Sequence, residues 1–271
     1  MEAHPQIRFG TDGWRAVIGE EFTFANVRLV AQATADFSRR RHTRHTRRLI
    51  VVGYDRRFLS NEFAETVAGV LAGNGYKVVL SGSPVPTPAV SWLVPKLKGR
   101  AGVMITASHN PGRFNGIKLK LHHGGPAGSD ICQAVEAQLG KNPVRSTSME
   151  HARRRKLLRV QNFLPNYFKA LKGMVDFKLI AKSGLNFTHE ALFGVGAGCF
   201  EELLAGTRCR VRTFNGEHDP NFGGLNPEPI EHNYARSRAA LQKQPADFCL
   251  ATDGDADRIG GMDGRGNALT T

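Results

Sequence analysis

Short apolar runs alternate with segments of helical periodicity along most of this 271-residue chain, and that alternation restricts its fold more than any single motif. Leu49–Val52, Lys77–Leu80, Gly102–Ile105 and a stretch near Ile117–Leu121 read as strands. Between them, Val27, Val30, Ala31 and Phe37 share one face of a helix opening at Phe22-Thr23. Phe63, Val67, Val70 and Leu71 share a face of another, stopped by Gly73-Asn74-Gly75. Pro84, Pro86 and Pro88 predict a rigid loop, and Ser129-Asp130 a helix start running to Leu139. A second alternation follows: helix Phe163–Met174, strand Leu185–Thr188, helix Cys199–Leu204, strand Arg210–Thr213, a helix near Tyr234–Leu241 and strand Phe248–Ala251. Strands separated by helices predict layered α/β domains with largely parallel sheets. The expected organisation is a first domain over 1–144, a basic linker over 145–160 and a second domain over 161–271. The halves look alike in pattern, without a convincing internal repeat.

Composition narrows the function classes. No apolar stretch approaches the roughly 18–20 residues of a membrane span. The start of the chain has no basic region leading into an apolar one, so no signal peptide is expected. Cys132, Cys199, Cys209 and Cys249 are scattered, which predicts unpaired thiols in a reducing cytoplasm. The net charge is +13, and two runs supply eleven of those charges: 39–48 and 145–159. A solvated loop or helix end accounts for such runs, and binding to nucleic acid is the rival reading. The run 39–48 has no interleaved aromatic residue to stack bases, which argues against a single-strand platform.

Two loops carry the chemistry. Thr106-Ala107-Ser108-His109-Asn110-Pro111 follows the Gly102–Ile105 strand, so Ser108 stands where open α/β sheets place their ligands. A turn serine satisfying backbone groups is the plain alternative. Asp253-Gly254-Asp255-Ala256-Asp257-Arg258 follows the Phe248–Ala251 strand. Three carboxylates on alternate residues repel one another unless a cation neutralises them. Asp253, Asp255 and Asp257 offer the hard oxygen ligands that Mg²⁺ takes, and a phosphate on Ser108 would add another. An EF-hand is excluded, because Gly264, the twelfth residue of such a loop counted from Asp253, stands where its glutamate is needed.

Four further features stay open. Lys118 returns toward the serine as a general base, if burial or neighbouring cations lower its pKa to roughly 7–8, or as a phosphate contact. Arg15 follows the turn Gly10–Gly13 and would hold a phosphate, or lie on the surface. Gly194–Gly198 either cradles phosphate at a helix start or lets a helix pack close to a strand. His109 is an acid, a donor or a structural neighbour.

Together these pieces resemble the α-D-phosphohexomutases, the phosphoglucomutase and phosphomannomutase family. The resemblance rests on Phe9–Arg15, Val52-Gly53-Tyr54-Asp55-Arg56-Arg57, Pro84–Pro88, the serine loop, Gly194–Gly198, Asn226-Pro227-Glu228 and the aspartate loop. It implies two consecutive three-layer α/β/α domains with mixed, largely parallel sheets. Ser108 would be the phosphoserine and would bind Mg²⁺ with Asp253, Asp255 and Asp257. Lys118 would be the general acid/base, with Arg15 and His109 as catalytic neighbours and Arg258 and Asn110 facing substrate. A hexose 1,6-bisphosphate would prime the serine, and a phosphorylated hexose would be the substrate. The opening, with Trp14 and Ala16–Thr23, looks most like glucose-phosphate mutases, then mannose and glucosamine phosphate. The family's sugar-reading and distal-phosphate loops do not occur before Thr271, so a fragment lacking those domains is expected. Inactive, partner-dependent and nucleic-acid-binding alternatives remain.

Overall fold

The computed structural model describes residues 7–40 and 45–269. Residues 41–44 of the first basic run lie outside the described residues. The chain divides into two compact units. The first comprises Met1–Asp55, Leu59–Ala107 and Arg113–Phe163; the second comprises Arg56–Phe58, Ser108–Gly112 and Leu164–Thr271.

The first unit is built on a six-stranded sheet. In chain order its elements are β1 (Gly13–Val17), α1 (Phe24–Arg40), β2 (Leu49–Tyr54), α2 (Ser60–Gly73), β3 (Lys77–Ser81), α3 (Thr87–Lys96), β4 (Ala101–Ile105), β5 (Phe114–Leu121), α4 (Ser129–Glu136), α5 (Met149–Arg154) and β6 (Leu158–Gln161). The strand order is β1-β5-β4-β2-β3-β6. β4, β2, β3 and β6 run parallel, and β5 is antiparallel to both β4 and β1. All six residues of β2 are buried, as expected of a central parallel strand covered on both faces. Ile50, Val52 and Tyr54 join the core cluster that also holds Val30 of α1 and Val67 of α2. Gly53 points the other way, where a Cβ would stand 2.4 Å from Val90 of α3. That close approach explains the glycine: α3 packs directly onto the sheet. Helices on both faces make the three layers.

Two expectations change here. The proline segment is not a loop throughout, because α3 begins at Thr87 with Pro88 in its first turn, where a missing N–H costs nothing. Residues 145–160, expected as a linker, belong to the first unit. Ser148 caps α5 by accepting from the His151 N–H at 3.2 Å, and β6 pairs in parallel with β3 at the sheet edge. Leu158 is buried while Arg159 and Val160 are exposed, so an edge strand with one anchoring residue has the composition of a linker.

The second unit contains α6 (Leu164–Met174), α7 (Phe177–Ser183), β7 (Asn186–Glu190), α8 (Cys199–Leu204), β8 (Arg210–Phe214), α9 (Ala235–Lys243), β9 (Phe248–Thr252) and β10 (Ile259–Asp263). Its sheet has the order β10-β9-β7-β8, with β7 parallel to β8 and β9, and β10 antiparallel to β9. The four cysteines are free thiols. Among the described residues no helix is long and apolar enough to cross a membrane.

Candidate active site

The second unit gathers three loops that are far apart in sequence: Arg56–Phe58, Ser108–Gly112 and the turn between β9 and β10. The antiparallel return of β10 folds Asp253–Arg258 into a tight hairpin. Asp253 closes it, its Oδ1 accepting from the backbone N–H groups of Asp257 and Arg258 at 3.0 Å each. Gly254 is required there, since a Cβ would lie 2.6 Å from the Ser108 carbonyl oxygen.

Ser108 is buried and its backbone takes φ 55°, the left-handed region that non-glycine residues seldom occupy. Its hydroxyl donates to Asp253 Oδ2 at 3.0 Å, and Arg258 Nη2 approaches the same hydroxyl at 3.3 Å. Arg258 also reaches Asp253 through Nε at 3.1 Å and Glu228 through Nη1 at 3.5 Å. One guanidinium therefore spans the serine and two acids.

Arg57, which the sequence offered only as part of a lesser family mark, holds the serine loop in its strained shape. Its Nη2 donates to the carbonyls of Ser108 and Asn110 at 2.7 Å, and its Nη1 to that of Pro111 at 2.9 Å. The guanidinium lies 4.7 Å above the Phe222 ring. Arginine suits this place because its planar fork serves several acceptors at once. The signal available in sequence was its position just after β2.

Asp253, Asp255 and Asp257 each present an oxygen within 4.8 Å of the others. Asp253 and Asp255 are wholly buried, and Asp257 is exposed. Burial, then repulsion from Asp255 and Asp257, pushes the Asp253 carboxyl up to about 7. Buried, mutually repelling carboxylates with only hard oxygen donors fit a divalent cation such as Mg²⁺.

Beneath the hairpin, β7 buries Thr188, His189 and Glu190. His189 Nε2 lies 3.0 Å from Thr252 Oγ1, and burial lowers the imidazole to about 4. Glu190 accepts from the Leu192 N–H and from Asn215, and burial raises its pKa above the usual carboxylate value. Two glycines of Gly194–Gly198 have a packing reason, while Gly198 has nothing within 4 Å and takes φ 80° at the start of α8. A Cβ on Gly194 would come 2.9 Å from the Asp253 carbonyl oxygen, and one on Gly196 would come 2.4 Å from Thr252 Oγ1.

The remaining candidates lie in the first unit. The β4–β5 register sets Lys118 opposite Met104, near the carboxyl end of β4. Lys118 is buried, with Nζ 3.8 Å from Asp12 Oδ2. Arg15 reaches the same carboxylate at 3.1 and 3.2 Å. Asp12 thus joins the lysine and the arginine that the sequence had named independently. His109 and Asn110, half-buried, follow Ser108 in the second unit.

Comparison with known proteins matches both units to one family. The family description "Phosphoglucomutase/phosphomannomutase, alpha/beta/alpha domain I" matches residues 6–145, and that of alpha/beta/alpha domain II matches residues 165–266. A phosphoglucomutase/phosphomannomutase of Thermococcus kodakarensis is 31% identical over 263 residues, covering 96% of this chain and 56% of the relative. A phosphoglucosamine mutase of Arthrobacter sp. FB24 is 32% identical over 268 residues, with 96% and 56% covered. The crystal structure of a Thermus thermophilus protein assigned as a phosphomannomutase superimposes with a TM-score of 0.88 at 37% identity, covering 98% of this chain and 59% of that one. The chain therefore spans little more than half the length of these relatives. With both domain descriptions matched along its length, and two α/β units of the corresponding kind, the chain belongs to the phosphoglucomutase/phosphomannomutase family.

Proposed function

We propose that this chain carries the phosphoserine and metal-binding part of a phosphohexomutase, which interconverts hexose 1-phosphate and hexose 6-phosphate. The observation that carries the reading is the 3.0 Å hydrogen bond from Ser108 to Asp253, with three clustered carboxylates beside it. A buried serine in a strained loop, next to acids whose charges need a cation, suits phosphoryl transfer better than a structural turn.

In the proposed cycle, the bond between phosphorus and Ser108 Oγ breaks as a bond to the sugar's free hydroxyl oxygen forms. That hydroxyl's proton passes to Lys118. The bisphosphate then turns over, and the second phosphoryl group moves to Ser108 while the released sugar oxygen takes the proton back. Arg258, already beside the hydroxyl, holds the phosphoryl oxygens, and Arg57 keeps the loop in position. Arg15 steadies the phosphate, and His109 and Asn110 contact the substrate. Mg²⁺ held by Asp253, Asp255 and Asp257 would neutralise charge on the transferring group. A hexose 1,6-bisphosphate supplies the first phosphate. Glucose phosphate is the first substrate proposed, although relatives are also named for mannose and glucosamine phosphate. The distal phosphate is proposed to be held by further domains, since the relatives are nearly twice as long. Free thiols are in keeping with a cytoplasmic setting.

The test is incubation with glucose 1,6-bisphosphate, followed by intact mass and peptide mapping. One added phosphate on Ser108, absent in Ser108→Ala, is expected. A phosphate on another residue, unchanged in Ser108→Ala, would overturn the assignment. Calorimetry should show Mg²⁺ binding weakened about tenfold or more by Asp255→Asn.

A further inference from the structure

One residue of the first basic run and three of the second meet in the first unit. Arg47, from the first run, and Arg153, Lys156 and Arg159, from the second, line one recess together with Lys77. Its volume is about 440 Å³, within the roughly 300–1,000 Å³ of small-molecule sites. The floor is apolar, formed partly by the buried Leu49, Val79 and Leu158. No Asp or Glu is among its lining residues. Among the described residues, none of the five cationic side chains makes an ion pair.

The recess has a defined place in the sheet. Leu49, Lys77 and Leu158 are the first residues of β2, β3 and β6, which run parallel. It therefore lies at the amino ends of these strands, opposite the carboxyl terminus of β4. A second recess of about 640 Å³ shares Arg47 and adds Lys98, His45, His122 and His123, again without an acid.

We propose that the recess at the amino ends of β2, β3 and β6 binds a small polyphosphorylated anion, of the triphosphate type. Five like charges around one cavity repel one another, and a polyanion relieves that repulsion while releasing their counterions. A single phosphate would engage only two or three of them. Guanidinium forks from Arg47, Arg153 and Arg159 match phosphate oxygens in pairs, and the two lysines act as point charges. No aromatic side chain lines the recess at the strand amino ends, so stacked bases have no platform there. The phosphate chain is the recognised chemistry; it can come from a nucleotide or from an inorganic triphosphate.

The test is calorimetric titration of the 271-residue chain with inorganic tripolyphosphate, ATP and orthophosphate. Divalent cations are left out, and salt is held at about 0.15 M. One tripolyphosphate should bind per chain, with orthophosphate weaker by about tenfold or more. ATP binding tighter than tripolyphosphate would identify a nucleotide source; equal affinities would identify the phosphate chain alone. Lys77→Ala/Arg159→Ala should weaken binding about tenfold or more. Lys178→Ala/Arg208→Ala, which removes the same charge from the second unit, should change it less than about twofold. All four side chains are exposed, so the variants should keep the wild-type melting curve. Ser108→Ala should leave the binding unchanged. Absence of binding, equal loss in both double variants, or loss in Ser108→Ala would overturn the proposal. So would a duplex oligonucleotide that tripolyphosphate fails to displace.

Discussion

The central strands of the two units follow one rule of construction and are filled in opposite ways. β2 in the first unit reads Leu-Ile-Val-Val-Gly-Tyr and is buried throughout. β7 in the second reads Asn-Phe-Thr-His-Glu, and its four buried positions include Thr188, His189 and Glu190. An apolar strand contributes stability that depends little on pH. A strand carrying a buried imidazole and a buried carboxyl contributes less and makes stability depend on protonation. The first unit is thus the firmer scaffold, and the second holds costly polar groups under the hairpin of Asp253–Arg258. The contrast teaches where this protein concentrates its chemistry: in the unit with the weaker core.

The largest expected effect tests the scaffold side. Ile50→Ala removes a wholly buried side chain from β2 and should cost about 2–5 kcal/mol by denaturant unfolding. A loss below about 1 kcal/mol would break the contrast, because it would mean the first core collapses around the gap.

Next comes the protonation of β7. His189 titrates near 6.5 when unfolded and is lowered to about 4 by burial when folded. Its neutral form favours the folded state fully above pH 6.5; that advantage is lost as the pH falls from 6.5 toward 4. Glu190 and Asp253, both raised by burial, act in the opposite direction. The clean measurement is therefore the difference between wild type and His189→Gln across that range. The wild type should lose roughly 3 kcal/mol relative to the variant. Parallel pH profiles would show that the imidazole is not held neutral.

Arg57→Ala should cost about 1.5–3 kcal/mol, the worth of hydrogen bonds from a buried charged group. It should also speed amide exchange in residues 108–112 and slow phosphorylation of Ser108. Unchanged exchange would show that the loop holds its left-handed serine without the clamp.

The smallest effect sharpens the comparison from outside both cores. Glu150 and Arg154 form an i,i+4 pair at 2.8 Å on α5, with both side chains largely exposed. Glu150→Ala should change stability by only about 0.3–0.5 kcal/mol and less at high salt. A larger loss would mean that α5, whose sequence has the character of a linker, supports the first unit more than its exposure implies.

Much of this architecture is legible in the sequence. β2, β3 and β4 announce themselves as apolar runs, and the serine and aspartate loops by residue type and by their place after strands. β1 and β10 are not legible. Gly-Trp-Arg-Ala-Val and Ile-Gly-Gly-Met-Asp are short and of mixed polarity, and they become strands only by pairing with β5 and β9. β6 is hidden because an exposed edge strand has the polarity of a linker.

Sequence alone determined the alternation of strand and helix, the family, and the residue types available for phosphate and metal chemistry. The alternation and the residue types are local: they depend on neighbours within a few positions. Only the tertiary structure decided what those residues meet. It grouped Ser108 with Asp253 in the second unit, placed the Arg57 fork beneath the serine loop, joined Lys118 to Arg15 through Asp12, and brought Arg47 of one basic run into a recess with Arg153, Lys156 and Arg159 of the other. Those meetings join segments that are from three to about 150 residues apart. Most of them depend on strand register and loop closure across the chain, which no local window of sequence contains.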